Sequence, residues 1–489
     1  VASGLWLVAI FMAYRNWKQE LEDERPPRVV PWGFIARCAV VFVLLCTLAA
    51  GALWVWPGYL LAKPWQRPGP APAELVIYFS NDVHGNLEPC GCTPQRWGGI
   101  ARARGLLKGQ DQSCRLLVDV GDAVAGKEHW QVLGWQQYLQ ALTTMGYQAA
   151  NIGISELALD AETLRATAKD SPLPLLSCNV QDEKGQPLTK PWRQELIANL
   201  RVTVVGVVVP SATTKLGAGV RVADADEQLS RILGDLRKQT DVIVLLASAD
   251  PAAMQRLAQA HPEVDVLLGG RVPQASREVE LVGSCRLASL ANNGQMIGEM
   301  TLGINPDGTA AGATSRMIVL DNDVPEDPQM LELVAGYNAQ LERLNRTGGL
   351  AALGVEAVPA PAGAGRYVGA ATCGQCHAKA YEIWEKTGHS SAYGSLTRRG
   401  RDANPGCVVC HVVELGAADG FRGPTITPDR IGVQCESCHG RGSRHVAARR
   451  NGENTARMGK VSPKSCDACH DCIHSPAFDY ASYWQKIKH

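Results

Sequence analysis

The chain has no surplus of either charge: 48 Lys and Arg stand against 48 Asp and Glu, and the pI is near 7.2. Without a basic excess to release counterions from a phosphate backbone, nucleic acid is excluded as an expected partner. The middle of the chain is poor in histidine, with only His84, His129 and His261. No basic stretch precedes the first apolar run, so a secretory signal peptide fits it poorly. What is present is a length of 489 residues, enough for two or three domains, and 46% hydrophobic residues, enough to fill their cores. Sixteen cysteines and eleven histidines carry most of the chemistry.

Charged residues are also missing from 38–56. A helix of that length nearly crosses a hydrocarbon core, so 38–61 is predicted to be a transmembrane helix. Trp54, Trp56 and Tyr59 supply an interfacial aromatic belt at one end, and Arg37 snorkels at the other. The uncharged run 1–14 reads as a second, partial span. The connection between them, 15–37, gathers Arg15, Lys18, Arg25, Arg28 and Arg37, which places it in the cytoplasm. Everything after Leu61 is then expected on the periplasmic side of a cell inner membrane.

The last third repeats one pattern: Cys373-Gly-Gln-Cys376-His377, Cys407-Val-Val-Cys410-His411, Cys435-Glu-Ser-Cys438-His439 and Cys466-Asp-Ala-Cys469-His470. Each is a CxxCH, the signature of c-type haem attachment. Two thiols on one turn reach both vinyl groups of the porphyrin, and the adjacent His faces the iron. Zinc sites do not require a His after every second Cys. The repetition therefore predicts four covalently bound c-type haems, with His377, His411, His439 and His470 as proximal ligands. So little polypeptide surrounds them that the haems themselves are expected to form the core, with sparse, helical secondary structure.

The second axial ligand decides the chemistry, because an iron held by two His passes electrons whereas an open position binds a substrate. The spare histidines of this region are His389, His445, His474 and His489, four for four irons. His474 lies so close in sequence to His470 that it is the least suited. The segments CGQCHAKAYEIWEKTGHSSA, CESCHGRGSRH and SPAFDYASYWQKIKH resemble the tetrahaem cytochrome c-554 family over 367–489. The resemblance implies closely packed haem pairs used for electron transfer, with His389, His445 and His489 as distal ligands. Some relatives leave one haem five-coordinate, and the family pattern demands no ligand at His474.

Between anchor and cytochrome, strand-like apolar runs at 75–80, 116–120, 202–209, 242–247 and 264–268 alternate with amphipathic helical runs. The helical runs fall at 129–145, 156–169, 227–238 and 251–260. This predicts an α/β layered domain over 74–345, closed by a helix at 329–345. An Ala/Gly/Pro-rich linker, 346–366, follows it.

Polar residues at strand ends are where such folds place chemistry. Ser80-Asn81-Asp82-Val83-His84-Gly85-Asn86 follows one strand and Asp119-Val120-Gly121-Asp122 follows the next. Both loops resemble the first two motifs of the 5′-nucleotidase branch of the calcineurin-like metallophosphoesterases, and the likeness implies Asp82, His84 and Asp122 as metal ligands. The later motifs depart from that family. Its Gly-Asn-His-Glu is Gly153-Ile154-Ser155-Glu156, its next His is replaced near Ser248, and its Gly-His-x-His is Gly270-Arg271-Val272-Pro273. A kept fold with lost two-metal hydrolysis is the expectation, with at most a remnant metal ion. Gly121 to Lys127 imitates a phosphate-binding GxxxxGK, but Glu128 stands where a hydroxyl is required.

Glu88-Pro89-Cys90-Gly91-Cys92 is an addition to the family pattern. Thiols one residue apart on a Gly-rich turn either bind a soft metal or cycle between dithiol and disulfide. The alternative is ordinary disulfides among Cys90, Cys92, Cys114, Cys178 and Cys285. Three functions follow: a membrane-anchored tetrahaem electron carrier, a metal-dependent hydrolase or thiol redox enzyme coupled to the haems, or a subunit of a larger respiratory or photosynthetic assembly.

Overall fold

Runs rich in Val, Leu and Ile make the strands of the α/β region, and their period of two decides which face each side chain meets. Val242–Ser248 is buried along its whole length. Val242, Val244 and Leu246 enter one apolar cluster, whereas Ile243, Leu245 and Ala247 enter another. A strand covered on both faces is therefore continuously apolar in sequence. Each fully buried aliphatic side chain contributes about 1.5–3 kcal/mol.

The computed structural model describes residues 69–89, 96–291, 293–471, 475 and 478–489. The two expected membrane spans, Cys90, Cys92 and His474 lie outside the described residues. Among the described residues no helix is long and apolar enough to cross a membrane.

Two six-stranded sheets form the α/β region. The first runs in the order Ala310–Val319, Met296–Ile304, Glu74–Ser80, Arg115–Asp119, Ala149–Asn151, Leu175–Leu176. The second runs Glu280–Val282, Cys285–Ser289, Val266–Gly270, Val242–Ser248, Leu200–Val208, Trp192–Ile197. Leu75, Ile77, Phe79 and Val118 of the first sheet pack on Val202, Val204, Val244 and Leu246 of the second. Helices His129–Met145 and Pro328–Ala352 cover the outer face of the first sheet. Ala225–Arg237 and Pro251–Ala260 cover that of the second. The result is a four-layer α/β/β/α stack.

The inner strands are parallel: Glu74–Ser80 pairs in that sense with Arg115–Asp119, and Val242–Ser248 with both Leu200–Val208 and Val266–Gly270. Their C-terminal ends therefore emerge on one side, carrying the loops that bear Asp82, Asp122, Ser248 and Arg271.

Two expectations change. The helix expected at 156–169 is a short turn, Glu156–Ala158, followed by a separate helix, Ala161–Asp170, which starts where Asp160 accepts a hydrogen bond from the Thr163 N–H. The expected linker is partly structural. Its helix continues to Ala352 through a break at Gly349, where φ is 64°, and Leu350 and Leu353 are buried.

The C-terminal segment consists of short helices, among them Ala370–Gly374, Ala378–Glu385, Pro405–Val408, Cys435–His439, Ser443–Arg450 and Pro463–Asp467. Its own apolar clusters are small, Tyr393, Leu396, Val408, Val412 and Phe421 in one and Tyr367, Val413 and Ala417 in another. It packs on the α/β region within one compact unit. Ala403 enters the apolar cluster outside the first sheet, Trp130 approaches within 3.0 Å of where a side chain on Gly406 would begin, and Arg401 pairs with Glu88 at 2.6 Å.

Candidate functional site

Each CxxCH motif forms a single turn. His377 and Cys376 donate their backbone N–H groups to the Cys373 carbonyl at 3.0 and 3.2 Å, and His470 and Cys469 do the same to Cys466 at 2.8 and 3.0 Å. Both cysteines and the histidine of a motif are thereby presented on one local surface. Glu436, almost wholly buried, fixes the third motif to the first by accepting the N–H groups of Val368, Gly369 and Gly442. Gln434 adds the Ala370 N–H at 2.7 Å.

The imidazoles are oriented by their Nδ1 atoms. His411 Nδ1 lies 2.7 Å from the Ala392 carbonyl, His439 Nδ1 2.8 Å from Gly459, and His445 Nδ1 2.9 Å from Ala456. A carbonyl beside Nδ1 fixes the proton there and leaves the Nε2 lone pair free for a metal. Burial first, and then the neighbouring His470, holds His389 below its ordinary pKa; burial does the same for His470. A neutral imidazole is the form that ligates iron.

Three pairs of rings face one another. Centroids of His377 and His445 are 6.2 Å apart, those of His389 and His470 6.2 Å, and those of His439 and His489 6.0 Å. A ring nitrogen lies about 1 Å from its centroid, so a metal about 2 Å from each of two nitrogens separates the centroids by roughly 6 Å. Each pair joins one expected proximal ligand to one expected distal ligand, and the donor set fits haem iron held between two histidines. His411 has no such ring partner among the described residues, and His474 lies outside them.

The thiols also order the motifs. The Cys373 thiol lies close enough to that of Cys435, and the Cys469 thiol to that of Cys410, for each to act on the other's ionisation, and Cys410 Sγ lies 3.8 Å from the Ala468 carbonyl. Cys438 lies close enough to Cys466 and Cys469 for their charges to act on it. The motifs thus follow one another in space as first, third, fourth, second.

In the α/β region the strand-end loops are laced together. Asp82 N–H donates to the Gly121 carbonyl at 3.0 Å and Gly85 N–H to that of Ala123 at 2.8 Å. Asp82, His84, Asp122 and Arg271 all adopt positive φ, between 45° and 60°. That region costs a non-glycine residue about 1–2 kcal/mol, and such strain clusters at functional sites.

Of the three expected metal ligands, two are in direct contact. His84 and Asp82 pair with each other at 2.5 Å. Burial alone would lower the pKa of His84, but the Asp82 hydrogen bond and charge, with Asp122 and Glu156 behind them, raise it to about 9. Asp122 is fully buried and accepts the Ser248 hydroxyl at 2.5 Å and the Ser155 N–H at 2.8 Å, while the Arg271 guanidinium lies 3.7 Å from it. Two serines and an arginine thus gather around the aspartate at the positions where the family carries metal-binding and catalytic groups. Among the described residues no group of three His, Cys, Asp or Glu is placed to hold an ion.

Glu156, retained from its motif together with Gly153, accepts the N–H groups of Asp122, Ala123, Val124 and Gly153 at 2.7–3.0 Å. Cys114, Cys178 and Cys285 are free thiols, which removes disulfides among these three. The roles of Ser155, Ser248 and Arg271 were visible in sequence only as departures from a motif; the Glu88–Arg401 pair left no sequence signal.

Comparison with known proteins divides the chain in the same way. The family described as Cytochrome c554 and c-prime matches residues 372–440. Cytochrome c-554 of Nitrosomonas europaea is 28% identical over 134 residues, covering 21% of this chain and 57% of that protein. An uncharacterized metallophosphoesterase, YunD of Bacillus subtilis, is 25% identical over 236 residues, covering 46% of this chain and 49% of its own length. The 5′-nucleotidase of Bos taurus is 24% identical over 336 residues, 60% of this chain and 56% of that protein. The chain therefore spans about half the length of the relatives it matches. Among solved structures, a 5′-nucleotidase precursor from Thermus thermophilus superposes with a TM-score of 0.49 at 20% identity, covering 55% of this chain and 59% of that one. The chain joins a calcineurin-like, 5′-nucleotidase-type α/β segment to a cytochrome c554-like segment.

Proposed function

We propose that this chain is a membrane-anchored electron-transfer protein that holds four c-type haems on the periplasmic face of an inner membrane. Its α/β domain acts as an accessory or docking module that has lost two-metal hydrolysis. The observation that carries the reading is the facing of His377 with His445, His470 with His389 and His439 with His489 at 6.0–6.2 Å. Bound between such pairs, haem supplies reversible one-electron transfer. Cys373, Cys376, Cys407, Cys410, Cys435, Cys438, Cys466 and Cys469 would tether the porphyrins. The carbonyls of Gly459 and Ala456 hold His439 and His445 in the ligating orientation. His411 is the proximal ligand of the fourth iron, whose other face is either open or met by His474.

The uncharged run 38–56 and the basic connection before it support the anchor and its orientation. Covalent haem attachment suits the same side of the membrane, and assembly into a larger respiratory or photosynthetic complex is compatible with this topology. Loss of hydrolysis is supported by Ser155, Ser248 and Arg271 around Asp122.

A redox titration of the purified chain between about −400 and +400 mV, within the span that haem and cluster proteins cover, tests the carrier function. Stepwise reduction is expected, and an unchanging spectrum would refute it. Phosphomonoester hydrolysis with added manganese or zinc is expected to stay at background; turnover abolished by Asp122→Asn would restore the hydrolase reading.

A further inference from the structure

The thiol contacts give the row of motifs two unlike ends. At one end, the segment before Cys407 is pressed against the α/β domain. Arg401 pairs with Glu88 at 2.6 Å, Asn404 donates to Asn338 at 3.4 Å, and Trp130 closes over Gly406. Arg401 and Glu88 are only 20% and 23% exposed, so a large partner has no approach through that contact.

The other end is open. Cys376 is exposed, whereas the other seven attachment cysteines are partly covered. His377, which follows it, faces His445 on the helix Ser443–Arg450. The last turn of that helix carries Arg449 and Arg450, and the Arg450 guanidinium donates to the Gln375 side-chain Oε1 at 3.4 Å. Lys379, two residues beyond His377, is exposed. Glu382 on the same helix as Lys379 is already taken by Lys386 at 2.7 Å, and Glu385 sits at the far end of that helix. Three exposed cations thus belong to this end: Lys379 three residues after Cys376, Arg450 in contact with Gln375 beside Cys376, and Arg449 next to Arg450 on the same helix turn.

Electron tunnelling weakens steeply with distance, so a partner must bring its redox group to the edge of a terminal cofactor. We propose that electrons enter or leave this protein at the Cys376 end, through a partner that presents an acidic docking face to Lys379, Arg449 and Arg450. The proposal rests on the four-haem reading above. It gives the α/β domain a role as well, since by covering the Cys407 end it leaves one terminus for external exchange.

The test uses the full chain, reduced with dithionite and mixed with ferricyanide, an anionic acceptor. Each ferricyanide takes one electron from a ferrous haem, giving ferric haem and ferrocyanide, with no bond or proton moved. Wild type is compared with Lys379→Glu/Arg449→Glu/Arg450→Glu and with a control of equal charge change on the α/β domain, Lys169→Glu/Lys184→Glu/Lys215→Glu. Steering by a local patch changes association rates by about tenfold or more. Oxidation is expected to slow about five- to tenfold in the first variant and less than about twofold in the control, with a weaker salt dependence only in the first. Cobalt(III) hexaammine, a cationic acceptor, should respond in the opposite sense.

Equal slowing in both variants, or no slowing in either, would overturn the proposal, as would acceleration of ferricyanide by the edge substitutions. If the triple variant takes up less haem than wild type, the single substitutions Lys379→Gln and Arg449→Gln replace it, each expected to slow ferricyanide about twofold. A wild-type chain without c-type haem absorbance would instead refute the four-haem reading on which the proposal stands.

Discussion

The rings of His377 and His445 face each other at 6.2 Å with their planes 22° apart, although His377 only precedes the helix Ala378–Glu385 and His445 lies within Ser443–Arg450. His377 follows the first pair of attachment cysteines, and His445 is held by the Ala456 carbonyl at 2.9 Å. Neither residue packs into an apolar core of the usual kind, so the facing geometry itself is what the surrounding chain maintains. On the four-haem reading proposed above, the two rings would grip an iron from both sides.

Replacing His445 by Met should therefore alter one haem and leave the rest. Methionine opposite histidine raises the reduction potential relative to two histidines, and axial ligands as a group tune potentials over about 0.8 V. One component of a spectroelectrochemical titration should move upward by on the order of 0.1 V, a fraction of that range. A titration superimposable on wild type would place His445 outside the iron's ligands.

Glu156 is expected to be the most sensitive position of the α/β loops. Glu156→Ala strands four backbone N–H groups in a buried setting, and each unsatisfied donor costs about 1–3 kcal/mol, although relaxation and entering water reduce the sum. A loss of at least about 3 kcal/mol is expected from the denaturation midpoint at unchanged slope. Glu156→Gln keeps an acceptor oxygen and should lose less. Equal losses for the two would mean that the carboxylate's size, not its hydrogen bonds, matters.

Asp119 gives the α/β domain a pH dependence of definite sign. Burial raises its pKa to about 7, against the lowering effect of hydrogen bonds from Ser80, Tyr138 and the Gly121 N–H. Between the unfolded value near 3.9 and the folded value, the native state holds a proton that the unfolded state has released. This group's contribution is therefore most favourable below about pH 4 and declines as pH rises toward 7. Asp119→Asn should flatten that decline in denaturation curves collected from pH 4 to 8. An unchanged slope would show that Asp119 ionises in the folded protein as it does in the unfolded chain.

Much of the α/β fold was legible because local signals agreed with the tertiary outcome. The helices His129–Met145 and Pro251–Ala260 occupy their expected ranges, the second because Asp250 caps it and Pro251 opens it. The run at 156–169 misled because its periodicity spans a break. Glu156 turns inward to the backbone, and Asp160 then starts a new helix. Edge strands such as Trp192–Ile197 and Ala310–Val319 escaped notice because polar and small residues interrupt their apolar runs, and in the first Leu196 faces solvent. The spacing of the CxxCH motifs was legible in the sequence, and each folds locally as a turn. Which distal ring faces which proximal ring was not, since His389 meets His470 across a separation in sequence that no local pattern encodes.

Low-temperature EPR on the fully oxidised chain, with haem content fixed by pyridine haemochrome, tests the central claim most directly. The account predicts four c-type haems per chain, with low-spin signals integrating to at least three of them. Fewer than three low-spin haems, or a haemochrome yield well short of four, would contradict the pairing of His377 with His445, His389 with His470 and His439 with His489.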